Sequence, residues 1–246
     1  MKVLDLFCCK GGSAKGILNA IPDAEIIGID KVLNHQEDYP GKFVWLDIRL
    51  LEEMHPELLK WADFIWASPP CQAYTYASKK ARNKGKKYPD MVAFTREMLN
   101  RTGKPYVIEN VTTAPIRKDL FLCGEMFGLK VIRHRAFEIR GFECIKLQHR
   151  KHKGKVKDGF YVTVAGHGGD GKASLKAFQD AMQINWTKDK QAICQAVPPK
   201  YSEYIMRNYL QQNDIEELMC PLAVRTDRGN GLLPTDKSVG IRPTIL

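Results

Sequence analysis

The chain has 246 residues, 44% of them apolar, enough to bury a core of one large α/β domain and too apolar for global disorder. A net charge of +10 favours a polyanion such as nucleic acid as partner. Seven scattered cysteines without a CxxC spacing argue against a disulfide framework and against a structural zinc site. No apolar run reaches membrane-spanning length, and the chain enters a strand almost at once, so a soluble, cytoplasmic, monomeric protein without a leader is expected.

In chain order, Val3–Phe7 reads as a short apolar strand followed by Cys9-Lys10-Gly11-Gly12-Ser13-Ala14-Lys15-Gly16 and a helix to Ala20. Ile26–Asp30 and Phe43–Asp47 are further strands, each ending on an acid, and Leu50–Leu59 has helical spacing. Phe64–Ala67 is a buried strand that Pro69 and Pro70 stop abruptly, because proline donates no ladder hydrogen bond. Met91–Arg101 is a helix with Met91, Phe94, Met98 and Leu99 on one face, and Pro105–Val111 is a fifth strand. Strands alternating with helices predict a doubly wound, mostly parallel sheet, which binds ligands at the carboxyl ends of its strands.

From Leu120 the pattern changes. Leu122–Phe127 reads as a loop, Arg133–Ile139 as a strand, Gln148–Lys157 as a basic loop and Phe160–Ala165 as a strand. Gly166–Gly171 is a flexible turn, Leu175–Met182 and Tyr201–Leu210 are helices, and the stretch past Gln211 is a loosely packed tail.

The chemistry gathers at strand ends. Cys71 follows the double proline on a stiff turn, and the next segment carries Lys79, Lys80, Arg82, Lys84, Lys86 and Lys87 without an acid until Asp90. A thiol so presented, beside a mobile cationic loop, suits a nucleophile that meets a polyanion, or else a buried structural cysteine beside a solvated loop. Glu109 ends the neighbouring strand, where a carboxylic acid can donate a proton to a ring nitrogen. Arg133 and Arg135 alternate along a strand, so both guanidinium groups can point one way, toward phosphate or a carbonyl oxygen. Asp30 is placed to take both hydroxyls of a ribose and Asp47 an adenine amine, unless both merely cap turns. With Phe7 and Gly11-Gly12 they outline an adenosyl pocket.

The order Asp5-Leu6-Phe7-Cys8-Cys9-Lys10-Gly11-Gly12, Asp30, Asp47, Pro70-Cys71-Gln72, Glu109-Asn110-Val111, Arg133-His134-Arg135 and Gln195-Ala196-Val197-Pro198-Pro199 resembles the cytosine-C5 DNA methyltransferases. It is spread over about residues 3 to 205, in the family's order, as in short phage-encoded members. The resemblance implies a Rossmann-like class I methyltransferase fold, S-adenosylmethionine as cofactor, double-stranded DNA as partner and no metal. It implies catalytic roles for Cys71, Gln72, Glu109, Asn110, Arg133 and Arg135, with Arg135 on the cytosine O2, Arg133 bracing the Cys71 loop or a phosphate, and Asn110 holding the Cys71 turn. Cofactor binding falls by the same resemblance on Asp5, Phe7, Lys10, Gly11, Gly12, Asp30, Lys31, Asp47, Ile48, Ser68, Pro69, Gln195, Ala196 and Val197. Phosphate contacts fall on Lys79, Lys80, Arg82, Lys84, Lys86 and Lys87.

The chain departs from the family where Cys9 replaces a glycine and where Cys194-Gln195 stands for the usual Gly-Asn. The expected layout is a catalytic domain over 1–140, a reduced target-recognition insert over 141–190, a returning helix over 191–210 and a tail over 211–246. Alternatives from the same residues are this chemistry on RNA or a nucleotide, a catalytically dead DNA-binding module, and, more distantly, a nicotinamide oxidoreductase.

Overall fold

A computed structural model describes residues 1–165 and 173–219, with the side chains of 157 and 215–219 left aside. The predicted turn at Gly166–Gly171 and the tail past Met219 lie outside the described residues. The chain divides into a compact unit, Met1–Gln212, and a second unit, Asn213–Leu246.

The elements in order are β1 (Lys2–Leu6), α1 (Gly12–Ala20), β2 (Glu25–Asp30), β3 (Lys42–Trp45), α2 (Leu51–Met54), α3 (Pro56–Trp61), β4 (Phe64–Ala67) and α4 (Lys79–Asn83). Then come α5 (Val92–Thr102), β5 (Tyr106–Asn110), β6 (Leu120–Leu122), β7 (Arg135–Arg140), α6 (Leu175–Met182), α7 (Lys190–Gln195) and α8 (Pro199–Met219). One seven-stranded sheet has the order β3-β2-β1-β4-β5-β7-β6. The first five strands pair in parallel, and β7 runs antiparallel to both β5 and β6. This is the doubly wound, mostly parallel sheet the alternation of strands and helices predicts. Its strand order reverses between β1 and β4, the crevice where such sheets take ligands.

Strand residues alternate between two apolar layers, as the pleat requires. Val3, Phe64, Trp66 and Val107 pack on one face with Ile17, Phe178, Ile193 and Tyr201. Leu4, Leu6, Ile65 and Ala67 pack on the other with Leu51, Leu59, Met98 and Leu99. Two glycines set how closely α1 approaches the segment that joins α7 to α8. A Cβ at Gly12 would lie 2.3 Å from the Val197 carbonyl, and one at Gly16 would lie 2.0 Å from that of Pro199. The Ser202 hydroxyl donates to the Ser13 carbonyl at 2.9 Å across the same contact.

Five differences separate the structure from the sequence expectation. The predicted helix Leu50–Leu59 breaks in two, because Pro56 lacks the N–H that would continue the first turn and instead starts α3. Phe160–Ala165 forms no strand. The Val162 amide bonds singly to the Lys130 carbonyl (2.8 Å), and the Val164 carbonyl accepts from the Arg133 side chain (3.2 Å). The expected loop Leu122–Phe127 begins with the end of β6, and the helix read as Tyr201–Leu210 continues to Met219. The cationic stretch read as a mobile loop contains a turn at Tyr76–Ser78 followed by α4.

Candidate active site

Cys71 sits just past β4, on a turn held from three sides. The Ser68 amide extends the sheet by donating to the Leu6 carbonyl at 3.1 Å, and the Trp66 indole donates to the Ser68 hydroxyl at 3.0 Å. From the next strand, the Asn110 amide donates to the Pro69 carbonyl at 2.9 Å. Downstream, Tyr74 and Thr75 both donate to the Cys71 carbonyl at 2.9 Å, and Arg82 bonds the carbonyls of Gln72 and Thr75 at 2.7 and 2.8 Å. The thiol therefore rides on a backbone with little freedom left, as a nucleophile requires.

Glu109, near the end of β5, is 6% exposed and meets Arg135 at the start of β7. Arg135 Nε lies 2.7 Å from Glu109 Oε1, and another of its nitrogens donates to the His134 carbonyl at 2.9 Å. Cys71, Glu109, Arg133 and Arg135 line one cavity of about 510 Å³. Burial pushes the Cys71 thiol above its ordinary range. Arg135 and Arg133 pull it back down, while Glu109 adds to the rise.

The same cavity continues along the ends of β1, β2 and β3, where Phe7, Gly12, Asp30, Lys31, Asp47 and Ile48 line it with Ser68 and Pro69. Gln72, Asn110, Gln195, Ala196 and Val197 also reach it. Asp30 and Asp47 both hold turns, and both still face the cavity. Asp30 accepts from the amides of Cys9 (3.0 Å) and Val32 (2.9 Å), with His35 Nδ1 at 3.3 Å. Burial works against ionisation of Asp30, but the hydrogen bonds from His35, Val32 and Cys9 outweigh it and hold the carboxyl below its usual value. Burial likewise disfavours the His35 imidazolium, yet Asp30 and Cys9 raise it to about 10. Asp47 accepts from the Arg49 amide at 3.0 Å and from its guanidinium at 2.7 and 3.0 Å.

Cys9 occupies a left-handed backbone position, φ 48°, as does Phe7 at 57°. Such angles favour glycine and cost other residues on the order of 1–2 kcal/mol. The turn at Cys9 thus takes a shape that favours glycine, at some strain.

Several expected site residues stand elsewhere. Asp5 is fully buried and accepts from the hydroxyls of Ser13 (2.9 and 3.0 Å) and Tyr39 (3.1 Å), clamping β1 to α1 rather than reaching the cavity. Burial pushes its carboxyl up to about 7, against the pull of those two hydroxyls. Lys10 pairs with Asp38 at 2.7 Å and is 7% exposed. Gly11 turns the chain at φ 77° beside Pro40. None of the three lines the cavity. Arg133 lies just before β7 and not on it, so it does not share the strand face of Arg135. It donates to the carbonyls of Val164 (3.2 Å) and Cys194 (2.7 Å), bracing those segments rather than the Cys71 loop, and burial followed by the nearby Arg135 lowers its guanidinium to about 9. Arg82 is a brace of the Cys71 turn, whereas Lys79, Lys80, Lys84, Lys86 and Lys87 are exposed.

The cavity also takes in residues the sequence did not single out as site residues: Val32, His35, Arg49, Tyr88, Pro89 and Met91, while Cys194, noted as a departure from the family, lines it beside Gln195. His35 follows Asp30 by one irregular turn and has no periodic neighbour to mark it. Tyr88 and Met91 flank the end of the cationic stretch, where the Tyr74 hydroxyl donates to Asp90 and draws the chain back to the site.

No protein-family model matches the chain, and no curated protein matches it. Solved structures do. The chain superposes on the Entamoeba histolytica methyltransferase EhMeth with a TM-score of 0.56 at 12% identity, over 87% of this chain and 98% of that one. The plantazolicin methyltransferase BpumL, solved in complex with SAH, matches over 45% of this chain and 39% of its own, at 15% identity and a TM-score of 0.31. The chain has the Rossmann-like fold of the first of these, a seven-stranded, mostly parallel sheet flanked by helices.

Proposed function

We propose that this protein transfers a methyl group from S-adenosylmethionine to C5 of a cytosine flipped out of duplex DNA. One observation carries the reading: a proline-stiffened thiol, a carboxylate and a guanidinium converge on the part of a cavity that continues to two acids at the ends of β2 and β3. The fold shared with EhMeth supports methyl transfer as the reaction class.

The lining fits the cofactor chemically. Asp30 keeps acceptor capacity beyond that used by Cys9, Val32 and His35, which suits a ribose hydroxyl. Phe7 offers an apolar ring, and Asp47 with Ile48 offers a polar edge for adenine. S-Adenosylmethionine supplies an electrophilic methyl group when bound. The chain's own residues must then make cytosine C5 nucleophilic. Cys71, as thiolate, adds to C6 and breaks the C5–C6 double bond. Glu109 hydrogen-bonds or protonates N3, so the electron pair pushed from C6 is held as an enamine with density at C5. Arg135 binds the carbonyl oxygen O2 and holds Glu109 in place through their ion pair. After methylation a water takes the C5 proton, the C5–C6 double bond re-forms and the C–S bond breaks, returning Cys71 as the thiolate. Extrusion of the base costs a few kcal/mol. The exposed lysines around α4 supply phosphate contacts that help offset it. Residues 141–190 serve as a small recognition insert beside the catalytic domain.

The test is incubation of the full chain with methyl-labelled S-adenosylmethionine and, separately, mixed-sequence duplex DNA, single-stranded RNA and dCMP. Label at cytosine C5 of DNA is expected. Label confined to RNA or the nucleotide replaces the substrate class, and label in none of them rejects the reading.

A further inference from the structure

Away from the cavity, four metal-type ligands meet at one point. Cys123 follows β6, His134 precedes β7, and His149 and His152 come from the basic stretch Gln148–Lys157. His152 Nε2 lies 3.1 Å from His149 Nε2, 3.3 Å from His134 Nε2 and 3.4 Å from Cys123 Sγ. All four ligand atoms fall within 4.8 Å of one another. Hydrogen bonding does not account for this. A neutral imidazole nitrogen has either one proton or one lone pair, so His152 Nε2 can satisfy one of these three contacts and not all of them. A tetrahedral zinc ion with Zn–N of about 2.0–2.1 Å and Zn–S of about 2.3 Å needs ligand atoms about 3.3–3.6 Å apart. The three measured contacts lie close to that spacing. Cys123 is fully buried, His134 and His152 are half-buried, and Phe121 packs on His134 and His149 at ring separations of 5.1 and 5.3 Å. The backbone of Lys153 is anchored by the Tyr161 hydroxyl at 3.1 Å and Glu125 at 3.3 Å, which fixes the stretch just past His152.

We propose that Cys123, His134, His149 and His152 bind one zinc ion in a closed, four-ligand site that staples the basic stretch Gln148–Lys157 to the edge of the sheet. The expectation of no metal rested on the spacing of the cysteines along the chain and on the family resemblance. His149-x-x-His152 alone has a familiar ligand spacing, and the other two ligands arrive from β6 and β7. On binding, Cys123 gives up its thiol proton and each imidazole offers the Nε2 lone pair, leaving a site of net charge +1. Four protein ligands leave no open position for a substrate, so the ion's role is structural. A thiolate with three imidazoles suits zinc better than calcium or magnesium, which take oxygen. The ion holds Arg150, Lys151, Lys153 and Lys155 in a stretch whose only regular turn is Val156–Asp158. It also fixes His134, which stands between Arg133 and Arg135.

Untagged full-length protein, purified without chelator, is expected to carry one zinc per chain by elemental analysis. After stripping, titration with cobalt(II) should saturate at one equivalent, with the intense visible spectrum of a four-coordinate site and a thiolate-to-cobalt band. Cys123→Ser should abolish that band and His152→Ala the uptake, while Cys71→Ser should leave the spectrum unchanged. Trypsin should cut after Arg150 or Lys151 at least ten times faster in stripped protein than in zinc-loaded protein. Wild-type protein that is metal-free and takes up no cobalt overturns the proposal, with no need for the variants to fold. A cobalt spectrum that survives Cys123→Ser and His152→Ala overturns it as well.

Discussion

The ends of β1, β2, β4 and β5 with the start of β7 furnish one part of the cavity lining, the first wall, and the segments around Arg133 and Cys194 furnish another, the second wall; the two hold their side chains by different means. On the first wall each polar group lies at an end of a buried apolar strand, and the ladder fixes it. Glu109 sits one residue past the pairing of Ala67 with Ile108, and Cys71 follows a strand whose four residues are all buried. On the second wall, lone hydrogen bonds between distant segments do the holding. Arg133 reaches the carbonyls of Val164 and Cys194, and the Tyr201 hydroxyl donates to the Arg133 carbonyl at 2.6 Å. Substitution on the first wall should therefore remove chemistry and spare the fold. Substitution on the second should loosen the fold and lower activity as a consequence.

The largest effect expected is on the first wall. Cys71→Ser should lower the methylation rate by at least about 10⁴-fold, with the melting temperature unchanged, because the nucleophile is lost and no core contact is. A parallel loss of stability would break the contrast between the walls. The two arginines sharpen it. Arg135→Gln should cost about 10²–10³-fold in kcat with little change in denaturation midpoint. Arg133→Met should instead cost about 2–4 kcal/mol of stability, since it leaves two carbonyls without their donor. Denaturant titration and steady-state kinetics on both variants check the pair.

A smaller effect concerns Asp5, whose carboxyl holds its proton up to about 7 in the fold and releases it near 3.8 when unfolded. The stability this contributes is complete below the unfolded value and is lost as pH rises through about 7. Asp5→Asn should remove that dependence, so urea midpoints of variant and wild type should converge at low pH and separate in the variant's favour toward neutrality. The smallest effect is at Cys9, where Cys9→Gly relieves a left-handed φ and should gain less than about 1 kcal/mol once the added freedom of the unfolded glycine is counted.

Legibility in the sequence follows the same division. Parallel strands buried on both faces read as continuous apolar runs, so β1, β2, β4 and β5 and the polar residues at their ends were plain. Proline marked the Cys71 turn. Asp5 misled because an acid at a strand centre looks the same in sequence whether it turns to the ligand or to a serine and a tyrosine behind it. Arg-x-Arg misled because alternation holds only within a strand, and β7 begins at Arg135. The start of α7 is marked in the sequence by Asp189, whose side chain caps the amides of Gln191 and Ala192 at 2.9 and 3.0 Å. His149 and His152 sit three apart in the sequence, but Cys123 and His134 left no linear trace, because the pairing of β6 with β7 brings those two together.

The central claim is that Cys71 bonds to C6 of a cytosine during turnover. Duplex DNA carrying 5-fluorocytosine at the target, mixed with enzyme and S-adenosylmethionine, tests it most directly, since fluorine cannot leave C5 as a cation and the C–S bond cannot break. Intact-mass analysis should show a protein–DNA adduct whose peptide maps to Cys71 and which is absent from Cys71→Ser. Enzyme that methylates ordinary cytosine yet emerges from the fluorinated duplex wholly unlinked would contradict the account.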